Sequence, residues 1–173
     1  MRPPAWLGIP AVVLAAPAYA TSYLTVPEAQ RLLFPGATLR EDFVVLSEAQ
    51  QRAIAQRSGV AVTAAEVRAW RAPDGGVFLL DEVVGKHERI GYALGLNADG
   101  SVRGIEILDY REAYGFEVRN AKWRAQFAGK TASDPVALDR DIRNISGATL
   151  SSRHVTDGVR RLLATYAIAL RQP

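Results

Sequence analysis

The spacing of apolar positions changes several times along this chain, and each change predicts an element. Val26 to Phe34 reads as a helix with Pro27 in its first turn, where the missing N–H costs nothing, and Pro35-Gly36 ends it. Ser47-Glu48-Ala49-Gln50 opens a second helix running to Arg57, with the Ser-x-x-Gln spacing of a capping box, and Ser58-Gly59 closes it. The period then shortens. Glu66 to Arg71 is a strand, Pro73-Asp74-Gly75-Gly76 turns the chain, and Val77 to Val84 is a mostly apolar run of the kind buried in a sheet. Arg89 to Leu96 alternates, placing Ile90, Tyr92, Leu94 and Leu96 on one face. Asn97-Ala98-Asp99-Gly100 supplies the turn, and Val102 to Leu108 returns as the partner strand.

A polar loop is expected over 109–118, a short amphipathic helix over 121–127, and irregular chain over 129–140. A last helix over 153–170 carries Val155, Val159, Leu162, Leu163, Tyr166 and Leu170 on one stripe. Gly158 weakens that helix by about 1 kcal/mol relative to alanine. Strands grouped in the middle and helices at both ends predict one α+β domain. Its sheet, antiparallel or mixed, is flanked by two N-terminal helices and a C-terminal amphipathic helix. No internal repeat or low-complexity linker interrupts it.

The first residues bear on compartment. A basic Met1-Arg2, an apolar run from Trp6 to Ala16 and the small residues of Ala18-Tyr19-Ala20 have the layout of a secretory signal peptide cut after Ala20. The run is short for a membrane span and contains Pro10, with Pro17 just beyond it, which disfavours the alternative of a retained anchor. The expected organisation is a signal peptide over 1–20, a helical segment over 21–65 and a ligand-binding domain over 66–173. The expected location is periplasmic, or on the outer face of a membrane. The chain has no cysteine, which excludes disulfides, Fe–S clusters, thiolate metal sites, thiol nucleophiles and a lipoprotein anchor.

Twenty-one basic and 18 acidic residues leave a net charge of +3. Seven cations, Arg111, Arg119, Lys122, Arg124, Lys130, Arg140 and Arg143, share one stretch of the chain. In an exported protein they fit a solvated face or an anionic cofactor better than nucleic acid.

No nucleophile elbow, P-loop or dinucleotide-binding glycine motif occurs. His87 and His154 are two distant histidines, too few to predict a metal site, and no spacing singles out a catalytic carboxylate pair. The informative stretch is Asp141-Ile-Arg-Asn-Ile-Ser-Gly-Ala-Thr-Leu-Ser151. Its Ser146-Gly147-Ala148-Thr149 box lets the backbone approach another group and puts a hydroxyl beside a helix start, where free N–H groups favour a phosphate. By itself the box reads equally as a turn and cap, since Thr149, Ser151 and Ser152 all suit a cap.

In context, the box resembles the covalent flavin-attachment site of extracytoplasmic FMN-binding domains. Asp141 stands ahead of the box, Ile145 just before it, Ser151 and Ser152 just after it, and an amphipathic helix follows, all in the order of that family. A second stretch agrees. Glu112-Ala113-Tyr114-Gly115-Phe116, followed by Trp123 and Gln126-Phe127-Ala128-Gly129-Lys130, resembles the family's glutamate–glycine loop and Gln-Phe-x-Gly-Lys segment. Flavin subunits of sodium- or proton-linked quinone and ferredoxin reductase complexes more often have Thr-Pro where Ala113 and Tyr114 stand, so those contacts do not carry over. Gly85-Lys86-His87-Glu88 and the hairpin after it are similar to the stand-alone exported members.

The resemblance implies FMN joined to Thr149 by a phosphoester. Ser146, Gly147 and Ala148 and the helix start near Ser151 would hold the phosphate. Glu112, Tyr114 and Gly115 would border the ring, with Phe116, Trp123 and Trp70 as candidates to pack on it. Asp141 would serve recognition by a flavin transferase, or the structure of the loop. A threonine hydroxyl is a weak nucleophile and no base adjoins it in sequence. The resemblance therefore implies a separate magnesium-dependent transferase that uses FAD. The expected role is an electron-transfer relay between membrane redox proteins, not a self-sufficient enzyme, with no metal and no nucleic acid. The alternatives are a cofactor-free exported binding or assembly module, an anchored flavin subunit of an ion-pumping reductase complex, and a self-sufficient flavin reductase.

Overall fold

The computed structural model describes residues 21–112 and 115–171. The expected signal peptide, Ala113 and Tyr114 lie outside the described residues. An antiparallel sheet organises the fold. In chain order its strands are β1 (Thr21–Ser22), β2 (Arg40–Glu41), β3 (Val44–Val45), β4 (Glu66–Arg71), β5 (Val77–Val84), β6 (Arg89–Leu96) and β7 (Val102–Tyr110). Their spatial order is β1-β7-β6-β5-β4-β2, with β3 also on β4. β2 and β3 lie along one edge of β4, and the Asp42 N–H between them still donates to Ala69 O at 2.9 Å. They act as one interrupted edge strand. The segment 21–65 thus adds strands at both edges of the sheet, besides its two helices.

Those helices form where their caps predict. α1 (Val26–Leu33) starts at Thr25, whose side chain accepts from the Glu28 N–H while Glu28 returns the bond to the Thr25 N–H. α2 (Glu48–Ser58) starts at Ser47 with the same reciprocal pair to Gln50 and ends on Gly59 in the left-handed conformation. Alternation along the central strands then sorts the core into two clusters. Val77, Leu79, Ile90, Tyr92, Leu94 and Leu96 face α2 and α4 (Thr149–Thr165). Phe78, Ala93 and Leu108 face Ala29, Leu33 and Phe34 of α1 and the turn after it. The sheet is covered on both sides. Each fully buried Leu, Val or Phe in these clusters contributes roughly 1.5–3 kcal/mol of transfer free energy.

Three boundaries depart from the sequence reading. β7 continues to Tyr110, into the expected loop 109–118, because Tyr110 buries its ring against the core and pairs with Ile90. Within that same span, Phe116–Arg119 form a 3₁₀ turn. The largest shift is in α4, which starts at Thr149, four residues before Arg153. Runs of hydroxyl residues ordinarily compete with helical hydrogen bonds. Here the hydroxyls are occupied: Ser151 Oγ pairs with Tyr110 Oη at 2.9 Å, and Ser152 Oγ donates to Ala148 O at 2.9 Å. The last turn widens over Tyr166–Leu170, and Arg71 Nη2 donates to Leu170 O at 2.5 Å. Among the described residues no helix is long and apolar enough to cross a membrane.

Candidate functional site

α4 begins without a capping side chain. Ala148 is the N-cap residue and makes no side-chain cap bond, and the first backbone bond of the helix is Ser152 N–H to Ala148 O at 2.9 Å. The N–H groups of Thr149, Leu150 and Ser151 therefore have no acceptor within the helix and converge at its start. Gly147 precedes them at φ +83°, a left-handed conformation that favours glycine, and no atom lies within 4 Å of where a Cβ would stand. Three N–H groups, the positive end of a 17-residue helix and an open approach suit a compact anion.

The hydroxyls of the stretch divide by burial. Ser151 and Ser152 are 4% and 0% exposed and bonded inward, whereas Thr149 is exposed. Ser146 is exposed too, but sits before the helix. Asn144 steadies Thr149: its Nδ2 donates to Thr149 Oγ1 at 3.4 Å, while its Oδ1 accepts from the Ile145 N–H at 2.8 Å and from Ser152 Oγ at 3.0 Å. Sequence reasoning missed Asn144. An Asx residue just ahead of a helix was the available signal, since it commonly binds nearby backbone.

An open cavity of about 400 Å³ lies over this helix start, lined by Gly147, Ala148, Thr149, Leu150, Ser151, Lys86, His87 and Glu112. That volume is within the ordinary range of small-molecule sites. The glutamate–glycine loop and the box, more than 30 residues apart in sequence, thus meet in one place. Gly115 closes the contact at φ +91°. A Cβ there would stand 2.5 Å from Tyr110 Oη and 2.9 Å from Ser151 Oγ. Lys86, His87 and Leu150 are further lining residues that sequence reasoning did not assign to the site.

Glu112 holds the opposite wall. Its Oε1 accepts from the His87 N–H at 2.5 Å and the Glu88 N–H at 2.9 Å, fastening the β5–β6 turn. Partial burial pushes its pKa up, but the N–H groups of Glu88, His87 and Lys86 outweigh this and hold it below the usual value. Gly85 has no room for a side chain, since a Cβ would stand 2.6 Å from Glu112 Oε1. Across the turn His154 Nδ1 meets Gly85 O at 3.0 Å, tying α4 to the same hairpin.

Other candidates lie elsewhere. Asp141 accepts from the N–H groups of Ala137 at 2.9 Å and Val136 at 3.2 Å and pairs with Lys130 at 2.9 Å. Burial opposes its ionisation, yet these partners hold its carboxyl below the usual range. It braces a loop in which Val136 and Asp139 have positive φ, and it does not line the cavity. Trp123 is buried edge-on to Phe127 and donates Nε1–H to Arg143 O at 2.8 Å. Trp70 packs edge-on between Phe43 and Phe78 in the α1-side cluster. Both tryptophans serve packing. Phe116 is 57% exposed beside Gly115, and Tyr114 lies outside the described residues.

The fold and this site define a small α+β domain with an uncapped helix start beside a cavity and an exposed threonine at the first helical position. Residues 85–164 match the FMN-binding domain family. The match starts at the Gly85 turn, inside the expected span 66–173, and covers β6, β7, the box and nearly all of α4. A stretch of 81 residues is 31% identical to one of the subunits of the Na(+)-translocating ferredoxin:NAD(+) oxidoreductase complex of Acetobacterium woodii. It covers 42% of this chain and 39% of that relative, so the chain spans about two fifths of the relative it matches. The helix start, the small residues and Lys86 suit the phosphate of FMN, and the cavity accommodates a small ligand.

Proposed function

We propose that Thr149 carries FMN through a phosphoester and that the protein relays electrons between redox partners on the outer side of a membrane. The single observation that carries this reading is the exposed Thr149 hydroxyl at the uncapped start of α4, inside a cavity walled by Glu112. The N–H groups of Thr149, Leu150 and Ser151 receive the phosphate, Gly147 and Ala148 let it approach, and Lys86 adds positive charge. Glu112 keeps the β5–β6 turn in place beside the ring position, and Leu150 offers apolar surface. Bound FMN supplies the electron chemistry; the domain supplies position, solvent access and local charge.

Attachment falls to another protein. Asn144 meets Thr149 Oγ1 with a hydrogen-bond donor, not a base. In the transfer a Thr149 Oγ–phosphorus bond forms and the phosphoanhydride bond of FAD breaks. AMP departs, and the hydroxyl proton passes to a base on a magnesium-dependent flavin transferase. Asp141 shapes the loop that this transferase reads. A covalent tether suits an exported protein, because flavin lost outside the cytoplasm is diluted. The likeness to part of an ion-translocating complex favours membrane redox proteins as partners, and also a second arrangement in which this chain is itself an anchored component of such a complex. Co-purification with membrane partners and an uncut N-terminus would select the second arrangement.

Co-expression with a flavin transferase tests the central reading. A yellow protein whose flavin absorbance survives acid precipitation is the expected result. A colourless protein from transferase-positive cells would leave the cofactor-free module.

A further inference from the structure

β4 and β5 part company halfway along. Their ladder is closed by the Ala72 N–H to Gly76 O bond, and its register runs only from Arg71↔Val77 to Arg68↔Leu80. β5 continues to Val84, fully paired with β6 on its other side. Beyond Arg68 the ladder to β5 stops, while the opposite edge of β4 stays paired with β3 through Val67↔Val44 and Glu66↔Val45. A cleft of about 660 Å³ opens between the diverging strands, lined by each residue from Leu80 to Val84 and floored by α4 at His154, Asp157, Gly158 and Arg161.

The alternation of an antiparallel ladder fixes which groups face this cleft. The Gly85 N–H to Glu88 O bond closes the β5–β6 hairpin, so Val83 and Asp81 turn their polar backbone groups to β6. Glu82 and Val84 turn theirs the other way, toward the cleft, where no backbone bond to them is made among the described residues. Two carboxylates of the cleft are by contrast matched: Asp81 accepts from Arg161 and Tyr92, each at 2.7 Å, and Glu82 pairs with Arg89. Arg68 at the mouth makes no ion pair among the described residues. Val84 is 58% exposed. The cleft demands a row of alternating backbone donors and acceptors, not a charge.

We propose that the cleft beside β5 binds an extended peptide segment of a partner protein as an added strand. The segment pairs with the N–H and C=O groups of Glu82 and Val84, sets small apolar side chains toward α4, and places an acidic side chain at Arg68. Strand addition supplies donors and acceptors at the spacing this edge presents, which a compact anion does not. The upper end of the cleft is the Val84–Gly85 turn, next to Lys86 and His87 of the other cavity, so an added strand brings its owner to that cavity's wall.

The blocked peptide Thr-Val-Glu-Val-Thr serves as the probe, titrated into isotope-labelled full-length protein and followed by amide NMR. In the free protein, the amides of Glu82 and Val84 should exchange with deuterium about tenfold or more faster than those of Asp81 and Val83. The peptide should shift those two amides and slow their exchange. N-methylation at alternate amides should weaken binding about tenfold in one of its two frames and spare it in the other. Val84→Pro removes an N–H that β6 does not use and should weaken binding by a similar factor. Equal binding of parent and both methylated peptides overturns the proposal. So do shifts confined to other surfaces, or no shift at about millimolar peptide. None of these readouts involves flavin, so they stand or fall apart from the fate of Thr149.

Discussion

Two cavities lie along one helix, and they present opposite kinds of unsatisfied backbone. At the first turn of α4, three N–H groups converge on a point, beside small residues and one exposed hydroxyl. Further along the helix, the cleft beside β5 presents backbone groups strung along a line, above the paired Asp81 and Arg161. A point of donors suits a phosphate; a line of alternating donors and acceptors suits an extended chain. The larger cavity is therefore not the one where a nucleophile stands. The chemistry follows the geometry of the unpaired groups and not the volume.

The sharpest way to break this contrast is at its reactive atom. Thr149→Ala should abolish the flavin adduct entirely while leaving thermal stability within about 0.5 kcal/mol of the parent, since an exposed position loses only a hydroxyl and a methyl group. Retained covalent flavin would overturn the assignment. Thr149→Ser should keep partial labelling, and complete loss would show that the methyl group matters to the transferase. Next in size is the contact between the glutamate–glycine loop and the box. Gly115→Ala forces a side chain into left-handed backbone against Tyr110 and Ser151, and should cost about 2 kcal/mol in denaturant unfolding with a fall in adduct yield.

Gly158 tests the other end of the helix. Helix propensity alone predicts that Gly158→Ala gains about 1 kcal/mol. A Cβ there would stand 2.4 Å from Tyr92 Oη and 2.8 Å from Val83 Cγ1, so the substitution should instead destabilise by about 1–2 kcal/mol. A stabilised variant would mean that the sheet yields easily at this point. Asn144→Ala comes after these. It should lose about 1 kcal/mol and slow flavin attachment without preventing it, because it frees the Thr149 rotamer and removes the acceptor of the Ile145 N–H.

The smallest effect is one of pH. The folded-state pKa of Glu112 is lowered, so its contribution is complete above the unfolded value of about 4.3 and is lost as pH falls through the folded value. Stability should therefore decline through the acid limb more steeply in the parent than in Glu112→Gln, measured as the difference between their unfolding midpoints across pH. Parallel acid limbs would show that the carboxylate does not fasten the turn.

Much of this arrangement is legible in the order of residues alone. The capping boxes at Thr25 and Ser47 are local, reciprocal and short-range, although the sequence reading identifies only the second. The β6 alternation and its turn are also local signals, and they form as expected. The sequence places the start of α4 four residues late, because the helical propensity of Thr149, Ser151 and Ser152 depends on where their hydroxyls go. Two of those destinations, Tyr110 and Asn144, lie outside the helix. The pairing of Glu112 with the β5–β6 turn and the closeness of Gly115 to Ser151 are tertiary facts. Residue order hints at a shared site, but the reason these positions are Glu and Gly emerges only when the two segments meet. The split between β4 and β5 leaves no mark in the alternation of either strand.

The most direct test of the central claim is peptide mass spectrometry of native protein from the producing organism, resolving the fragment that contains residues 144–153. The account predicts that this fragment carries the mass of an FMN phosphoester, with fragmentation assigning it to Thr149 and not to Ser146, Ser151 or Ser152. A bare fragment, or flavin on any other residue, would contradict it.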